Sequence, residues 1–374
     1  RAIRSLKGGS QMAEAMGIST FRYKVTIFVL AAVFASVAGW LLAHFQRTVN
    51  PSAFGLKMGI EYLFMAVIGG VGHVWGAIVG AGLIRVLEDQ LQVLLPKLIG
   101  TSGSYEVIVF GIALVVVLKY LPDGLWSLVG RHMPRPPRRV DWQSAPALPA
   151  RSRPAAGELV LDVQKARMEF GGLVAVNDIS FQIQAGQIVG LIGPNGAGKS
   201  TTFNLITGVL PATSGQVLFQ GGNVIGKPSR EIAQMGMART FQHVKMIPDM
   251  TVLENVALGA HTRGRKGVLP AMLRTNRAEE KQLFREAQRQ LERIGMGAYL
   301  HEQAGNLAMG PQRLMEIARA LCADPTLLLL DEPAAGLRHQ EKQALAGVLR
   351  QLKGEGMSIL LVEHDMDLVM QICD

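Results

Sequence analysis

Eight residues, Gly193 to Ser200, run in the order G-x-x-x-x-G-K-S. That order suits phosphate. Glycines let successive backbone N–H groups turn toward one anion, and a helix opening at the lysine adds the positive end of its dipole. Lys199 would reach the β- and γ-phosphates of a nucleotide, and the Ser200 hydroxyl would hold Mg²⁺. Gly193, Asn195, Gly196, Gly198, Lys199, Ser200 and the adjoining Thr201 are the nucleotide-binding candidates. Two later stretches supply acid and base. Four leucines, 327–330, precede Asp331 and Glu332. A buried parallel strand would bring both acids to its carboxyl end, where α/β sheets bind ligands. Asp331 would hold Mg²⁺, and Glu332 would polarise an attacking water as general base. A second apolar run, 358–362, leads to His364, a candidate sensor of the γ-phosphate.

The elements that must position these residues begin near residue 158. Residues 159–163, 179–183, 187–192, 327–330 and 358–362 read as strands. Residues 199–207 read as a helix stopped by Gly208, and 277–294 as a charged amphipathic one. Thr251 and Glu254 carry the spacing of a capping box. The fold class is therefore α/β, with an all-helical insertion near residues 250–322.

Ahead of that domain the composition changes. The 374 residues are 49% hydrophobic with a net charge of +9, and mean hydropathy is +0.23. Residues 25–46 carry no formal charge, long enough to span a membrane. Residues 62–84 are similar but broken by Gly69, Gly70 and Gly72. Residues 107–118, with flanks at about 103–121, could also span. Arg1, Arg4, Lys7, Arg22 and Lys24 put the N-terminal side in the cytoplasm by the positive-inside rule. A nucleotide domain must lie there too, so the number of crossings is even. Residues 58–91 then make either two crossings or a re-entrant hairpin whose turn is shielded from lipid. Glu61 lies at an interface or lines a solute path. The basic balance fits membrane flanks and linker better than nucleic acid. Cys322 and Cys373 lack metal spacing and read as reduced thiols.

Residues 131–157 form a linker with six prolines and six arginines among residues 131–156. A semi-rigid or disordered tether is expected, with its arginines either on anionic headgroups or solvated. The chain begins at Arg1, and 365–373 is a helical pattern without a stop. A fragment is expected, with the nucleotide-binding part shortened at its C-terminal end.

The three anchors, in this order, resemble the nucleotide-binding domain of ABC transporters from Glu158 onward. The resemblance implies further roles. Phe170 looks like the aromatic that stacks on adenine. Gln242, in Arg239-Thr-Phe-Gln-His243, looks like the Q-loop glutamine that senses Mg²⁺ and contacts the membrane domain. Gly310 lies in the signature segment that caps the ATP of an opposite subunit. That segment departs from Leu-Ser-Gly-Gly-Gln at Ala308, Met309 and Pro311. The proline is read at the first helical position, where it is tolerated, and reduced but real function is expected. The helix that follows carries an apolar stripe of Leu314, Ile317, Ala318 and Leu321. Similar signatures occur in the branched-chain amino acid subfamily. Ala334 to Arg338 also matches that subfamily, except that Arg338-His339 replaces Asn-Pro.

Residues 1–17 resemble the cytoplasmic coupling loop of importer permeases, with a short helix near 10–20 that docks beside a Q-loop. Gly69 to Gly72 with Trp75-Gly-Ala77 is similar to a branched-chain amino acid permease. The resemblance implies a multi-domain protein: an all-α transmembrane permease fragment at 1–130, the linker, and a P-loop ABC ATPase with helical subdomain at 158–374. It implies ATP and Mg²⁺ as cofactors and a bacterial-type plasma membrane location with the ATPase cytoplasmic. The implied partners are a second ATPase subunit, a second permease subunit, a periplasmic solute-binding protein and membrane lipid, with no nucleic acid. Rival readings are an importer of urea, short amides or another small solute, and a non-transport ABC ATPase of repair or translation.

Overall fold

The computed structural model describes residues 1–51, 55–99, 106–121, 124–128 and 141–374. It divides into two compact units, Arg1–Leu30 with Val140–Asp374, and Ala31–Arg139. The chain opens with two short helices, α1 (Ala2–Ser5) and α2 (Ser10–Ala15), then α3 (Thr20–Gln46). At 27 residues, α3 is the one helix among the described residues that is alone long and apolar enough to cross a membrane. Its length is about 40 Å, against about 30 Å of hydrocarbon.

The second unit holds the rest of α3 with α4 (Leu56–Gly69), α5 (Val74–Ile99) and α6 (Glu106–Tyr120). The glycine break expected from sequence is a sharp one: the chain bends by 119° between the apolar parts of α4 and α5. Small residues let the two helices touch. A Cβ on Gly69 would lie 1.9 Å from the Gly76 carbonyl oxygen, and one on Gly80 2.0 Å from that of Met65. Such close backbone approach is how helices associate in lipid, where apolar surface gives no preference for protein over solvent. Met65, Ile68 and Ile84 fill the remaining contact. Residues 103–105 of the proposed third apolar segment lie outside the described residues.

In the first unit the remaining elements are β1 (Leu159–Phe170), β2 (Leu173–Gln184), β3 (Ile188–Leu191), α7 (Lys199–Ile206), β4 (Ser214–Phe219), β5 (Gly222–Asn223), α8 (Ser229–Met235), β6 (Met237–Arg239), α9 (Val252–Ala257), α10 (Val268–Met272), α11 (Arg277–Arg293), α12 (Met309–Leu321), β7 (Leu327–Asp331), α13 (His339–Gly354), β8 (Ser358–Val362) and α14 (Met366–Ile372). Two sheets form, an antiparallel β2-β1-β4-β5 and a parallel β3-β8-β7-β6. The parallel sheet explains the leucine run. Leu328 and Leu330 point into one core with Ile359 and Leu361. Leu327 and Leu329 point into the other with Leu360 and Val362. Covered on both faces, the strands have no polar side to show.

The sequence expectation is met for β3, β7, β8, α7, α11 and the capping box, in which Thr251 Oγ1 accepts from Glu254 N and Glu254 Oε2 from Thr251 N. β1 and β2 run well past the expected ends because they pair as a long antiparallel ribbon. β4, β5 and β6 are short strands that the apolar pattern does not mark. Pro311 is corrected to the third position of α12, since the helix starts at Met309. It still sits in the first turn, where its missing N–H costs nothing. The stripe of α12 buries Ile317, Ala318 and Leu321, while Leu314 is only half-buried.

The linker expectation needs a larger correction. Residues 131–140 lie outside the described residues, but residues 141–156 are laid on the first unit rather than held free. Trp142 Nε1 donates to Gln288, and its ring stands 5.6 Å from that of Phe284. Arg151 donates to the Met235 and Gln234 carbonyls at the end of α8, and Arg153 to that of Glu355 after α13. Unpaired carbonyls at helix ends attract guanidinium groups, so these two arginines are spent on protein rather than on headgroups or solvent.

Candidate functional site

The loop after β3 and the N-terminus of α7 form the phosphate-type cradle. Gly198 is the N-cap of α7 at φ 85°, ψ 4°. A Cβ there would lie 2.3 Å from the Ala175 carbonyl oxygen, so the position is closed to other residues on both counts. Asn195 and Gly196 stand exposed in the loop. Lys199 is buried, and its Nζ donates to the Gly193 and Pro194 carbonyls at 2.7 and 2.8 Å. Those carbonyls hold the ammonium in the loop that a phosphate would enter. Ser200 is exposed and Thr201 half-buried in the first turn of α7, close to the dipole's positive end.

The carboxyl ends of the other parallel strands supply the acids and their partners. Asp331, the last residue of β7, is buried, and its Oδ1 has no hydrogen-bond partner. Burial raises its pKa, offset by the Arg239 guanidinium, whose Nη2 lies 4.0 Å from Asp331 Oδ2. Glu332 sits at φ 46°, a left-handed backbone uncommon for a residue with a side chain. Its two oxygens have separate partners: Oε1 lies 2.9 Å from His364 Nε2, and Oε2 accepts from Gln242 Nε2 at 3.1 Å. One carboxylate thus joins the segments after β6, β7 and β8.

The predicted residues therefore fall into two groups. Gln242, Asp331, Glu332 and His364 come together, and Gly193 to Thr201 form the cradle. Phe170 ends β1 and is 45% exposed. Gly310 lies elsewhere, in the first turn of α12. A Cβ on it would lie 2.5 Å from Glu341 Oε1, so the signature glycine is packed against α13 of its own chain.

Sequence reasoning missed several supporting residues. Arg239 is half-buried between the rings of Phe203 and Phe241, its guanidinium 4.8 and 4.9 Å from their centres. Burial lowers its pKa to about 10, and it remains a cation. Thr240 Oγ1 accepts from Asp331 N. Glu363 is buried and accepts from the backbone N–H of Ala334 and of His364, fixing the turns on which both acids and histidine stand. Only Glu363 had a local signal, as a carboxylate beside a candidate histidine at the end of a buried strand.

The donor set fits a hard cation shared with phosphate. Asp331 Oδ1 is an orphaned buried oxygen, and the Ser200 hydroxyl is exposed. Among the described residues no group of three His, Cys, Asp or Glu side chains could hold a metal by itself. Mg²⁺ is commonly held by one or two protein oxygens with phosphates and water making up the rest, a role these two oxygens suit.

A glycine cradle at a helix start, with an acidic pair at the end of a neighbouring parallel strand and a helical subdomain inserted between them, defines a P-loop ATPase of the transporter type. Comparison with known proteins agrees. The ABC transporter family pattern matches residues 176–335. A second pattern, the permease component of branched-chain amino acid transport systems, matches residues 1–118. The high-affinity branched-chain amino acid transport ATP-binding protein LivG of Escherichia coli K12 is 44% identical over 219 residues, 58% of this chain and 86% of that protein. BraF of Pseudomonas aeruginosa, of the same description, is 39% identical over 218 residues, again 58% and 86%. A nucleotide-free ATP-binding cassette from an ABC transporter superposes with a TM-score of 0.52 at 31% identity, covering 58% of this chain and 85% of that one. The chain belongs to the ABC transporter family. It joins a permease domain to an ATP-binding, ATP-hydrolysing cassette, and so is a membrane-associated transport protein.

Proposed function

We propose that the chain is the ATP-hydrolysing component of an importer for branched-chain amino acids and also supplies part of its membrane path. The observation that carries this is the joining, in one chain, of a cassette similar to LivG and BraF with a segment matching the permease of the same kind of system. In this reading residues 1–130 are permease-derived, 131–157 the linker and 158–374 the ATPase domain.

ATP binds with its phosphates in the Gly193–Thr201 loop. Lys199 exchanges its two carbonyl partners for β- and γ-phosphate oxygens, and Phe170 stacks on the adenine. Ser200, Asp331 and Gln242 are the residues that would hold Mg²⁺, which when bound offsets phosphate charge. Glu332 acts as general base. Each of its oxygens has one partner, Gln242 or His364, which fixes the carboxylate and leaves a second lone pair on each oxygen to accept from the attacking water. His364 then stays beside the γ-phosphate. Gly310 faces ATP held by a second ATPase subunit. A second permease subunit and a periplasmic solute-binding protein complete the importer, with the ATPase on the cytoplasmic side of a bacterial-type plasma membrane.

The test is solute-dependent stimulation. The chain is reconstituted in lipid nanodiscs with candidate binding proteins loaded with leucine, isoleucine, valine or urea. ATP hydrolysis should rise with the branched-chain amino acids. Stimulation by urea alone would replace this solute class with the rival one.

A further inference from the structure

The loop that carries Gln242 has no regular structure of its own, running from residue 240 to 247 between β6 and a turn. Its ends are held by Leu329 and Asn255, and its backbone between Phe241 and Lys245 is held at several points by one helix. Arg313 Nη1 donates to the Phe241 carbonyl at 2.9 Å, and Nη2 to the Gln242 carbonyl at 2.6 Å. Arg319 Nη1 donates to the Lys245 carbonyl, and Glu316 Oε1 accepts from Lys245 N at 3.3 Å. Arg319 Nη2 closes the set on Glu316 Oε1 at 3.2 Å. These three side chains lie on α12, whose first turn carries Gly310. All three are buried.

Burying two guanidinium groups and a carboxylate is a poor route to stability, since apolar residues of similar volume would often serve as well. What the charged set adds is geometry, because a planar fork fixes two carbonyls at once. The other side of the loop is apolar. Met12, Ala13, Met16 and Ile18, in and just after α2, pack with Phe241, Ile247, Met250 and Leu258. The two sides meet at Met12, whose Sδ lies 3.8 Å from Arg319 Nη1.

We propose that Arg313, Glu316 and Arg319 are positioning residues for ATP hydrolysis, which set the Gln242 loop and link it to α2 of the permease segment. This rests on Glu332 as the base that Gln242 contacts. A contiguous chain of contacts runs from Met12 through Arg319, the Lys245 and Gln242 backbone and the Gln242 amide to Glu332. The set also has somewhere to move. Glu316 Oε2 and Arg313 Nε are buried without partners. Arg313 Nη1 stands 3.9 Å from Glu316 Oε2, about 1 Å beyond hydrogen-bond length. A small swing of the Arg313 side chain would close that gap and pull on the Phe241 and Gln242 carbonyls that its fork holds. Motion of α2 would thereby change the contact between Gln242 and Glu332.

The experiment uses the full chain in nanodiscs. Arg313→Lys and Arg319→Lys keep charge and lose the fork. Each should lower kcat about tenfold while KM for ATP stays within about twofold, since the phosphate cradle is untouched. On a Gln242→Ala background, Arg313→Lys should add little. Arg319→Lys combined with Met12→Ala should be no worse than the more damaging single change, as expected for residues acting in one unit. A merely structural role would lower the melting temperature without this non-additivity. Hydrogen exchange at amides 241–245 without nucleotide gives a reading independent of hydrolysis: it should quicken in both lysine variants while α7 stays unchanged. If the parent fails to hydrolyse ATP, the base assignment falls and the exchange result still decides this proposal. Unchanged exchange in both lysine variants, or effects on kcat that simply multiply, would overturn it.

Discussion

Arg313, Glu316, Arg319, Asp331 and Glu363 are all no more than 6% exposed in the nucleotide-handling unit, whereas in the other unit Phe34, Trp40 and Phe45 of α3 stand 60 to 87% open. Each pattern is costly if both units face the same solvent. Water-facing aromatic runs on this scale invite association. Buried charges survive only where they are paired and hydrogen-bonded. The contrast resolves if one unit is solvated by water and the other by hydrocarbon. The first then places charge inside for chemistry and for holding loops, and the second places apolar side chains outside and glycine at its helix contact. A residue's meaning follows from its solvent as much as from its type.

The sharpest way to break that comparison is to remove charge from the first unit and add it to the second. Lys199→Ala should weaken ATP binding about a thousandfold, or ~4 kcal/mol, read with a fluorescent ATP analogue; unchanged affinity would dissolve the cradle assignment. Phe34→Asp places a carboxylate mid-helix on an open face. In lipid it should cost about 3 kcal/mol of insertion, seen as chain extracted from membranes by alkaline wash. In water the same change would be nearly free.

A smaller effect concerns Glu316. Burial raises its pKa to about 7 from an ordinary value of 4.5, with Arg319 and Arg313 opposing the shift. The folded state therefore holds this proton more tightly than the unfolded chain does. Its contribution to stability is full below pH 4.5 and is lost as pH rises through 7. Denaturant midpoints of the parent and of Glu316→Gln should converge at low pH and separate between these values. Parallel profiles would show that the carboxyl titrates normally. The smallest effect is at Thr251, where alanine removes the capping box of α9 and should cost about 1 kcal/mol by thermal unfolding.

How much of this was legible in the sequence depended on whether the signal was local. The cradle, the leucine strand with its acids and the glycine break in the membrane segment are short patterns whose physics is complete within a dozen residues. Glu332, Gln242 and His364 were legible by motif, but their meeting at one carboxylate is a product of strand order. Arg239, Arg313 and Arg319 carried no local mark. Each acts on a backbone or side chain far along the chain, which spacing cannot reveal. The linker misled for the same reason. Its prolines describe stiffness, whereas its course is decided by Gln288, Phe284 and the carbonyls ending α8 and α13. Pro311 shifted by two positions because helix starts are set by capping geometry rather than by composition.

The proposed chemistry depends most directly on Glu332. ATP binding and hydrolysis should be measured for the chain in lipid nanodiscs beside Glu332→Gln. The parent is expected to bind and hydrolyse ATP. The variant should bind it with similar affinity and turn over at least about a hundredfold more slowly, as for loss of a general base. Equal hydrolysis by the two would contradict the assignment of Glu332 and, with it, the chemistry drawn from its contacts with Gln242 and His364.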